Sequence, residues 1–251
     1  MIKRLSYWVY RAVVALVRLF YPRPEIVGME HLPEGPCVIV GNHAQMNGPI
    51  VADVYLPGDR AVWCAAEMMR LREVPAYAYR DFWSQKPVPA RWFYRVLSYI
   101  IAPLSVCLFN NAHCIGVDRD ARVLSTFHRT LARLEEGARI VIFPETDPPY
   151  NRILYTFQDR FIALGRMYGR RTGKKLAFVP MYVAPALKKT FLGAPIEYDP
   201  DANPEAEIAR VRDALVDAIT EIAEAQPRHT VVPYRNIPKR DYPVNRVDGG
   251  E

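Results

Sequence analysis

The chain has 251 residues, of which 50% are hydrophobic and 24% charged, a composition typical of a globular protein with a sizeable core. Its net charge of +6 favours an anionic partner, such as a lipid headgroup or a phosphorylated molecule. The sequence has no zinc motif, no RNP-like aromatic strand and no Gly-x-Ser-x-Gly elbow, which argues against a nucleic-acid-binding protein and a serine hydrolase. The four cysteines are scattered without a metal-binding pattern and indicate a reducing compartment.

Segment 2–21 predicts an amphipathic helix that ends where Pro22 interrupts the pattern. Arg4, Arg11 and Arg18 recur at a spacing that places them on one face, while apolar and aromatic residues cover the rest. The segment lacks a run of about 18 uncharged apolar residues, so we expect it to lie in the headgroup plane of an anionic membrane rather than to cross the bilayer. Packing on the protein's own core is the alternative. Because the features of a secretory signal are missing, we expect residues 1–24 to attach the protein peripherally to the cytoplasmic face of the cell membrane.

Beyond this helix, short apolar runs alternate with amphipathic segments. The predicted elements are strands at 37–41, 138–143 and 176–183 and helices at 49–55, 120–136, 156–168 and 204–225. Stretch 92–108 is the most apolar after the N-terminus and is expected in the core, with a second membrane-dipping element as the alternative. The alternation predicts an α/β domain over residues 25–225, with a mostly parallel central sheet flanked by helices. Residues 226–251 show no periodicity and predict an irregular tail that lies against the domain.

Polar residues cluster where the predicted strands meet the following loops. The segments are GNHAQMNGP from Gly41, CIGVDRD from Cys114, FPETD from Phe143 and VPMY from Val179. In open α/β sheets the ligand site lies beyond the carboxyl ends of the strands. We therefore expect these segments to form a functional site.

The same four segments resemble, in their order and spacing, the motifs of the lysophosphatidic acid and glycerol-phosphate acyltransferases. Asn42-His43 resembles the family's Asn-His pair, and the run that ends in Asp118-Arg119 resembles its Asp-Arg motif. Phe143-Pro144-Glu145-Thr146 matches the start of Phe-Pro-Glu-Gly-Thr-Arg, and Val179-Pro180 matches the short Val-Pro motif. The resemblance covers residues 27–186. It implies transfer of a fatty acyl group from acyl-CoA or acyl-carrier protein to a hydroxyl of a lysophospholipid- or glycerol-phosphate-like acceptor.

Such a transfer needs a base for the acceptor hydroxyl, and an imidazole such as that of His43 has a suitable pKa. The position of His43 before a helix predicts that the macrodipole keeps the ring neutral and that N–H groups of the first turn face a developing oxyanion. We expect Glu145 to orient the ring, with Asn47 as the second candidate; Asp53 and Asp147 are the other carboxylates considered.

The resemblance assigns Asp118, Arg119 and Thr146 to substrate binding, the arginine through a guanidinium that suits phosphate. It implies no metal and no cofactor beside the acyl thioester co-substrate. The partners it implies are the donor and a membrane surface with anionic lipids.

Two positions depart from the family pattern. Gly48 stands where the family has the Asp of its His-x4-Asp motif, and Thr146-Asp147-Pro148 replaces the Gly-Thr-Arg of the third motif. The missing arginine makes a non-phosphate acceptor, a polyol or an amine, an alternative. The missing aspartate makes a catalytically inactive, membrane-bound lipid-binding protein a second alternative.

Overall fold

A computed structural model describes residues 2–83, 87–118 and 122–246, without the side chains of residues 2, 3 and 147. In chain order the helices and strands are α1 (Ile2–Phe20), β1 (Glu25–Val27), β2 (Cys37–Gly41), α2 (Asn47–Ile50), β3 (Arg60–Ala65), α3 (Val74–Ala78), α4 (Arg91–Asn111), β4 (Cys114–Val117), α5 (Val123–Glu135), β5 (Arg139–Ile142), β6 (Glu145–Tyr150), β7 (Tyr155–Phe157), α6 (Ala163–Thr172), β8 (Ala177–Ala184), β9 (Lys189–Leu192), β10 (Ile196–Glu197) and α7 (Pro204–Glu224). The helix at α2 continues as a π-helical turn, Val51–Tyr55.

Contacts group the chain into two compact units. Unit 1 consists of Met1–Tyr21 and Ala61–Arg129, and unit 2 of Pro22–Arg60 and Thr130–Glu251. The N-terminal helix therefore shares its unit with a segment that lies far along the chain, a grouping that the linear order of the sequence does not suggest.

Unit 2 contains a sheet with the strand order β1-β9-β8-β2-β5. β1 pairs with β9, β2 with β8 and β2 with β5 in parallel, while β8 pairs with β9 and β10 in antiparallel fashion. All residues of β2 are buried, as the continuous apolar run predicts for a parallel strand. The predicted mixed α/β fold with a mostly parallel sheet is thus confirmed.

Helix α7 packs against β8 through a stripe at four-residue spacing, Val211, Leu215, Ile219 and Ala223. Its first turn is capped by Asn203, whose side-chain oxygen accepts from the N–H groups of the second and third helical residues. The predicted helix at 204–225 is confirmed. The helix predicted at 156–168 is wrong in its first half, because residues 155–157 form β7, which pairs with β6, and α6 begins only at residue 163.

Unit 1 contains the parallel pair β3–β4 and the helices α1, α3 and α4. One face of α4 is buried against a cluster that includes Met68, Val74 and Ala78, and the Ser105 hydroxyl donates to the Met68 carbonyl at 3.1 Å. Helix α1 lies on α4, where the Asn111 amide donates to the Ser6 hydroxyl at 3.3 Å.

The opposite face of α4 is apolar and exposed. Its large residues at helical spacing include Trp92, Val96, Ile100 and Leu104, and the exposed fraction of Trp92 is 69%. The expectation that 92–108 lies in the core is therefore wrong, since only one stripe of the helix is buried. Among the described residues, one helical stretch, Val88–Asn111, is by length and composition apolar enough to cross a membrane.

Candidate active site

His43 follows the end of β2, on a loop whose first residue is fixed to the neighbouring strand. The buried Asn42 side chain pairs with both main-chain groups of Val183 in β8, donating at 3.0 Å and accepting at 2.7 Å. Directly after His43, Ala44 and Gln45 adopt positive φ angles of 45° and 55°. Residues other than glycine rarely adopt this region, and each such residue costs on the order of 1–3 kcal/mol unless its surroundings impose it. The chain therefore turns back sharply at the residue that carries the imidazole.

This turn brings the Gln45 carbonyl to the His43 ring, where it lies within hydrogen-bond distance of Nδ1. A carbonyl oxygen can only accept, so Nδ1 must carry the proton. In the neutral ring the lone pair is then on Nε2. The main chain thus sets the tautomer in which Nε2 can take a proton.

Aromatic rings enclose the imidazole. The Phe143 ring centroid lies 5.3 Å from that of His43 in an edge-on arrangement, and the Tyr234 centroid lies 5.4 Å away. Burial is the main cause that lowers the pKa of His43 below its ordinary value, while main-chain hydrogen bonds act in the opposite direction. The ring is thus kept neutral by desolvation, where the sequence interpretation attributed the same effect to the helix macrodipole.

Glu145, the first residue of β6, accepts hydrogen bonds with both carboxylate oxygens. Oε2 accepts from the main-chain N–H of His43 at 2.6 Å, and Oε1 accepts from the N–H of Tyr155 in β7 at 3.1 Å. The residue is 6% exposed, and burial raises its pKa to about 7 against the lowering effect of the two N–H donors. The structure thus brings Glu145 to His43, but the carboxylate binds the main chain and not the ring, which the sequence interpretation had expected.

Asn47 also supports the loop. Its side-chain amide donates to the Ala44 carbonyl at 2.8 Å, and its main-chain N–H donates to the same oxygen at 3.1 Å. The N–H groups of Gly48 and Ile50 donate to the carbonyls of His43 and Met46, and Pro49 has no N–H. The expectation that the first turn of this helix presents its N–H groups to an oxyanion is wrong for these residues, because they close the turn around His43.

Gly48, at the family's Asp position, leaves no room for a side chain. A Cβ there would lie 2.6 Å from the His43 carbonyl oxygen and 2.7 Å from the Phe143 ring. Both distances are shorter than Cβ contacts in proteins allow. The loop is therefore closed around Gly48, and within it the Gln45 carbonyl is the group that contacts Nδ1.

The remaining predicted site residues are distributed over both units. Thr146 is half-buried in β6 of unit 2. Asp118 follows β4 in unit 1 and is buried; its Oδ1 accepts from Arg70 at 2.5 Å and lies 3.6 Å from Arg122. Arg119, predicted to bind substrate, lies outside the described residues. Asp118 thus pairs with Arg70, which the sequence analysis does not name as a site residue. In the part of the chain that the structure describes, no group of three or more His, Cys, Asp or Glu residues could hold a metal ion.

Three further residues of the site were missed in the sequence. Gln45 was overlooked because its contribution is a main-chain carbonyl, which the side-chain pattern does not report. Tyr234 and Tyr242 lie in the tail about 190 residues along the chain from His43, outside every motif; the Tyr242 hydroxyl accepts from the Gln45 side chain over a separation of 197 residues. No signal in the sequence indicates them, because Tyr234 and Tyr242 are the only two aromatic residues of the aperiodic tail, residues 226–251.

Comparison with known proteins finds fold similarity only. No protein-family model matches the chain, and no curated protein matches it. Solved structures similar to it include the crystal structure of the 1-acyl-sn-glycerophosphate (LPA) acyltransferase PlsC from Thermotoga maritima, with a TM-score of 0.47 and 13% identity over 90% of this chain and 80% of that chain. A likeness at this level assigns no chemistry, so the residues of the site have to decide the function.

We expect Gly48→Ala and Gly48→Asp to lower the free energy of unfolding by about 1–3 kcal/mol, since an added Cβ overpacks the His43 loop. Denaturant unfolding of the purified variants measures this loss. Gly35→Ala is the matched control, because a Cβ at Gly35 would meet no atom within 4 Å. A Gly48→Asp variant as stable as the wild type would contradict the described closure of the loop.

The raised pKa of Glu145 predicts a pH-dependent difference in stability between the wild type and Glu145→Gln. The folded carboxyl titrates near 7 and the unfolded one near 4.5, so its stabilising contribution is complete below pH 4.5 and is lost as pH rises through 7. Relative to Glu145→Gln, the wild type should therefore lose on the order of 3 kcal/mol of unfolding free energy over this range.

Glu207→Gln provides a control of opposite sign, because a hydrogen bond from Arg210 is the main cause that lowers the pKa of Glu207. The wild type should gain unfolding free energy relative to Glu207→Gln as pH rises from the acid range through the ordinary pKa of a carboxyl group. If the unfolding free energies of the two variants, each relative to the wild type, changed with pH in the same direction, the environment described for Glu145 would be contradicted.

Proposed function

We propose that the protein is an acyltransferase that moves a fatty acyl group from acyl-CoA or acyl-carrier protein to a hydroxyl of a lysophospholipid- or glycerol-phosphate-like acceptor. His43 is the general base in this proposal. The observation that carries it is the His43 ring with Nδ1 on the Gln45 carbonyl, in a tautomer that leaves Nε2 as the basic atom. The motif set in which this histidine lies resembles that of a family with this chemistry.

The chemistry requires no nucleophilic side chain. An acceptor hydroxyl at Nε2 gives its proton to the ring as its oxygen bonds to the carbonyl carbon of the thioester. The tetrahedral intermediate then breaks the C–S bond, and the imidazolium returns the proton to the departing thiolate. The products are an ester and a free thiol. A lowered pKa keeps His43 unprotonated, and therefore competent as a base, at neutral pH.

Cations beside the second motif, in unit 1, suit a phosphate group. Arg70 and Arg122 both approach the Asp118 carboxylate, so two guanidinium groups lie at this point of unit 1. A polyol or an amine as acceptor is the alternative that the missing arginine of the third motif leaves open. The panel of acceptors in the assay below distinguishes them.

We further propose that the protein works at the surface of an anionic membrane on the cytoplasmic side, bound through α1 and α4. Both helices expose large apolar residues, and they contact each other. Neither contains an Asp or Glu, while Arg4, Arg11 and Arg18 on α1 and Arg91 and Arg95 on α4 are exposed cations. An apolar surface on two helices whose described charged residues are all basic suits the interface of a bilayer with anionic headgroups.

We expect His43→Ala to reduce thiol release from acyl-CoA by about 10²–10⁴-fold in the presence of the accepted hydroxyl compound, as loss of a general base does. The assay compares glycerol 3-phosphate, a lysophospholipid, a polyol and an amine. Because burial lowers the pKa of His43, the acid limb of the wild-type kcat/KM profile should lie below pH 6.5.

The matched control is His128→Ala, since His128 is an exposed histidine on α5 and lies in no motif. It should retain the wild-type rate. A His43→Ala enzyme with near-normal turnover would exclude the mechanism. A wild-type protein that releases no thiol with any acceptor but binds lipid would favour the inactive lipid-binding alternative.

For the membrane proposal, we expect the double substitution Ile100→Glu with Leu104→Glu to reduce co-flotation with vesicles that contain an anionic phospholipid. Both residues lie on the exposed face of α4, and two carboxylates there oppose both the apolar and the electrostatic attraction. High salt should weaken binding of the wild type.

Leu124→Glu on α5 is the control, because Leu124 is as exposed as Ile100, 64% against 67%, but belongs to neither helix of the surface. It should bind as the wild type does. Equal flotation of the double variant and the wild type would contradict binding through α4.

A further inference from the structure

The C-terminal segment after α7 has little regular structure but is firmly attached at both ends. Asn245 is fully buried; it accepts from the His229 N–H at 2.8 Å and donates to the Ala223 carbonyl of α7 at 2.8 Å. A bridge between Thr230 and Val244 joins the two ends beside it. The intervening residues therefore form a closed loop whose base is part of the core of unit 2.

His229 adds a second buried link to the sheet. Its Nδ1 lies 2.8 Å from the Pro227 carbonyl and must donate to it, so Nε2 accepts from the Tyr182 hydroxyl of β8 at 2.8 Å. Such a network of fully used polar groups specifies one arrangement of the chain. Buried hydrogen bonds thus hold the segment against the rest of unit 2.

Two tyrosines of this loop contact the His43 turn at separate points. The Tyr234 ring lies on the imidazole, with 5.4 Å between the centroids. The Tyr242 hydroxyl accepts from the Gln45 side-chain amide at 2.7 Å. Gln45 is also the residue whose carbonyl accepts from the ring. The loop therefore contacts both the imidazole and the residue that sets its tautomer.

We propose that residues 227–245, the C-terminal loop, complete the active site, with Tyr234 and Tyr242 as positioning residues for His43. This inference rests on the proposed function for its catalytic meaning, while the placement of His43 by the loop can be measured without it.

The two tyrosines act by different physical means. Tyr234 covers the imidazole and excludes water from it, together with Phe143. Tyr242 holds the side chain of Gln45, one of the two residues with positive φ that bring the carbonyl to Nδ1. Loss of the ring of Tyr234 should hydrate the imidazole, and loss of the Tyr242 hydroxyl should loosen the turn.

The charged groups described near His43 belong to residues other than Tyr234 and Tyr242, so the effect of each tyrosine can be measured separately. Glu145 approaches the main chain of His43, and Tyr155 donates its main-chain N–H to the same carboxylate. Arg235 lies over the Tyr155 ring, 5.7 Å from its centroid, and Tyr155 in turn meets the edge of Tyr234. Substitutions at Tyr234 and Tyr242 leave the carboxylate and the guanidinium of this set in place.

The test is a titration of His43 by NMR in the full chain, together with kcat and KM for thiol release. In Tyr234→Ala we expect the pKa of His43 to rise toward 6.5 and kcat to fall by about tenfold, with little change in the KM for the acceptor. Tyr234→Phe keeps the ring and should restore both values. Tyr242→Phe should lower kcat at an unchanged melting temperature.

Arg240→Ala is the matched control within the same loop, because the Arg240 side chain is 85% exposed and contacts only its neighbour Asp241 among the ion pairs of the described chain. Arg240→Ala should change neither the pKa of His43 nor kcat. If Tyr234→Ala leaves both the pKa of His43 and kcat unchanged, or if Tyr234→Phe loses as much as Tyr234→Ala, the inference is wrong. If the pKa rises as expected in a protein that transfers no acyl group, the placement of His43 stands and the proposed function fails.

Discussion

The hydrogen bond from the main-chain N–H of His43 to the buried carboxylate of Glu145 is the interaction on which the site depends. It joins the loop after β2 to the β6–β7 hairpin, since the same carboxylate accepts from Tyr155. Hydrogen bonds to a carboxylate are stronger than those between neutral groups, but burial outweighs this gain for the charged form of Glu145, whose pKa is raised to about 7. This hydrogen bond fixes the main chain at His43.

The strained turn that follows depends on this fixed point. Ala44 and Gln45 both have positive φ, and their conformation persists because Asn47 and Gly48 bind the carbonyls of Ala44 and His43 from the other side. The turn brings the Gln45 carbonyl to Nδ1. A carbonyl fixes the tautomer but brings no full negative charge, so it would stabilise an imidazolium less than a carboxylate would. The Glu145 carboxylate contacts the main chain of His43.

The sequence predicted those features that depend on local pattern. The strands β2 and β8 were recognisable as continuous apolar runs, and α7 as an apolar stripe at helical spacing, because both are set by burial on a known period. The meeting of His43 and Glu145 follows from parallel strands whose carboxyl ends share an edge. The atom that Glu145 binds could not be predicted, since it depends on the two positive φ angles of a loop without glycine at those positions.

Other features were hidden for a different reason. The exposed face of α4 contains the same residue types as a core helix, so composition alone placed it inside; only packing shows that Ser98, Ala102 and Ser105 form the buried side. The pattern at 155–157 predicts the start of a helix, but these residues form a strand, because their pairing with β6 is a tertiary contact that the local sequence does not encode. The tail, which carries no motif, reaches the site only because the buried Asn245 and His229 direct it there.

The most direct test of the account is the protonation state of the two nitrogens of His43 in the neutral ring. Selective ¹⁵N labelling of histidine, with assignment by comparison to His43→Gln and long-range proton–nitrogen correlation at pH 8, reports which nitrogen carries the hydrogen. The account predicts a proton on Nδ1, bound by the Gln45 carbonyl, and a bare Nε2. A proton found on Nε2 would leave no basic nitrogen facing a substrate and would contradict the role of His43 as the base.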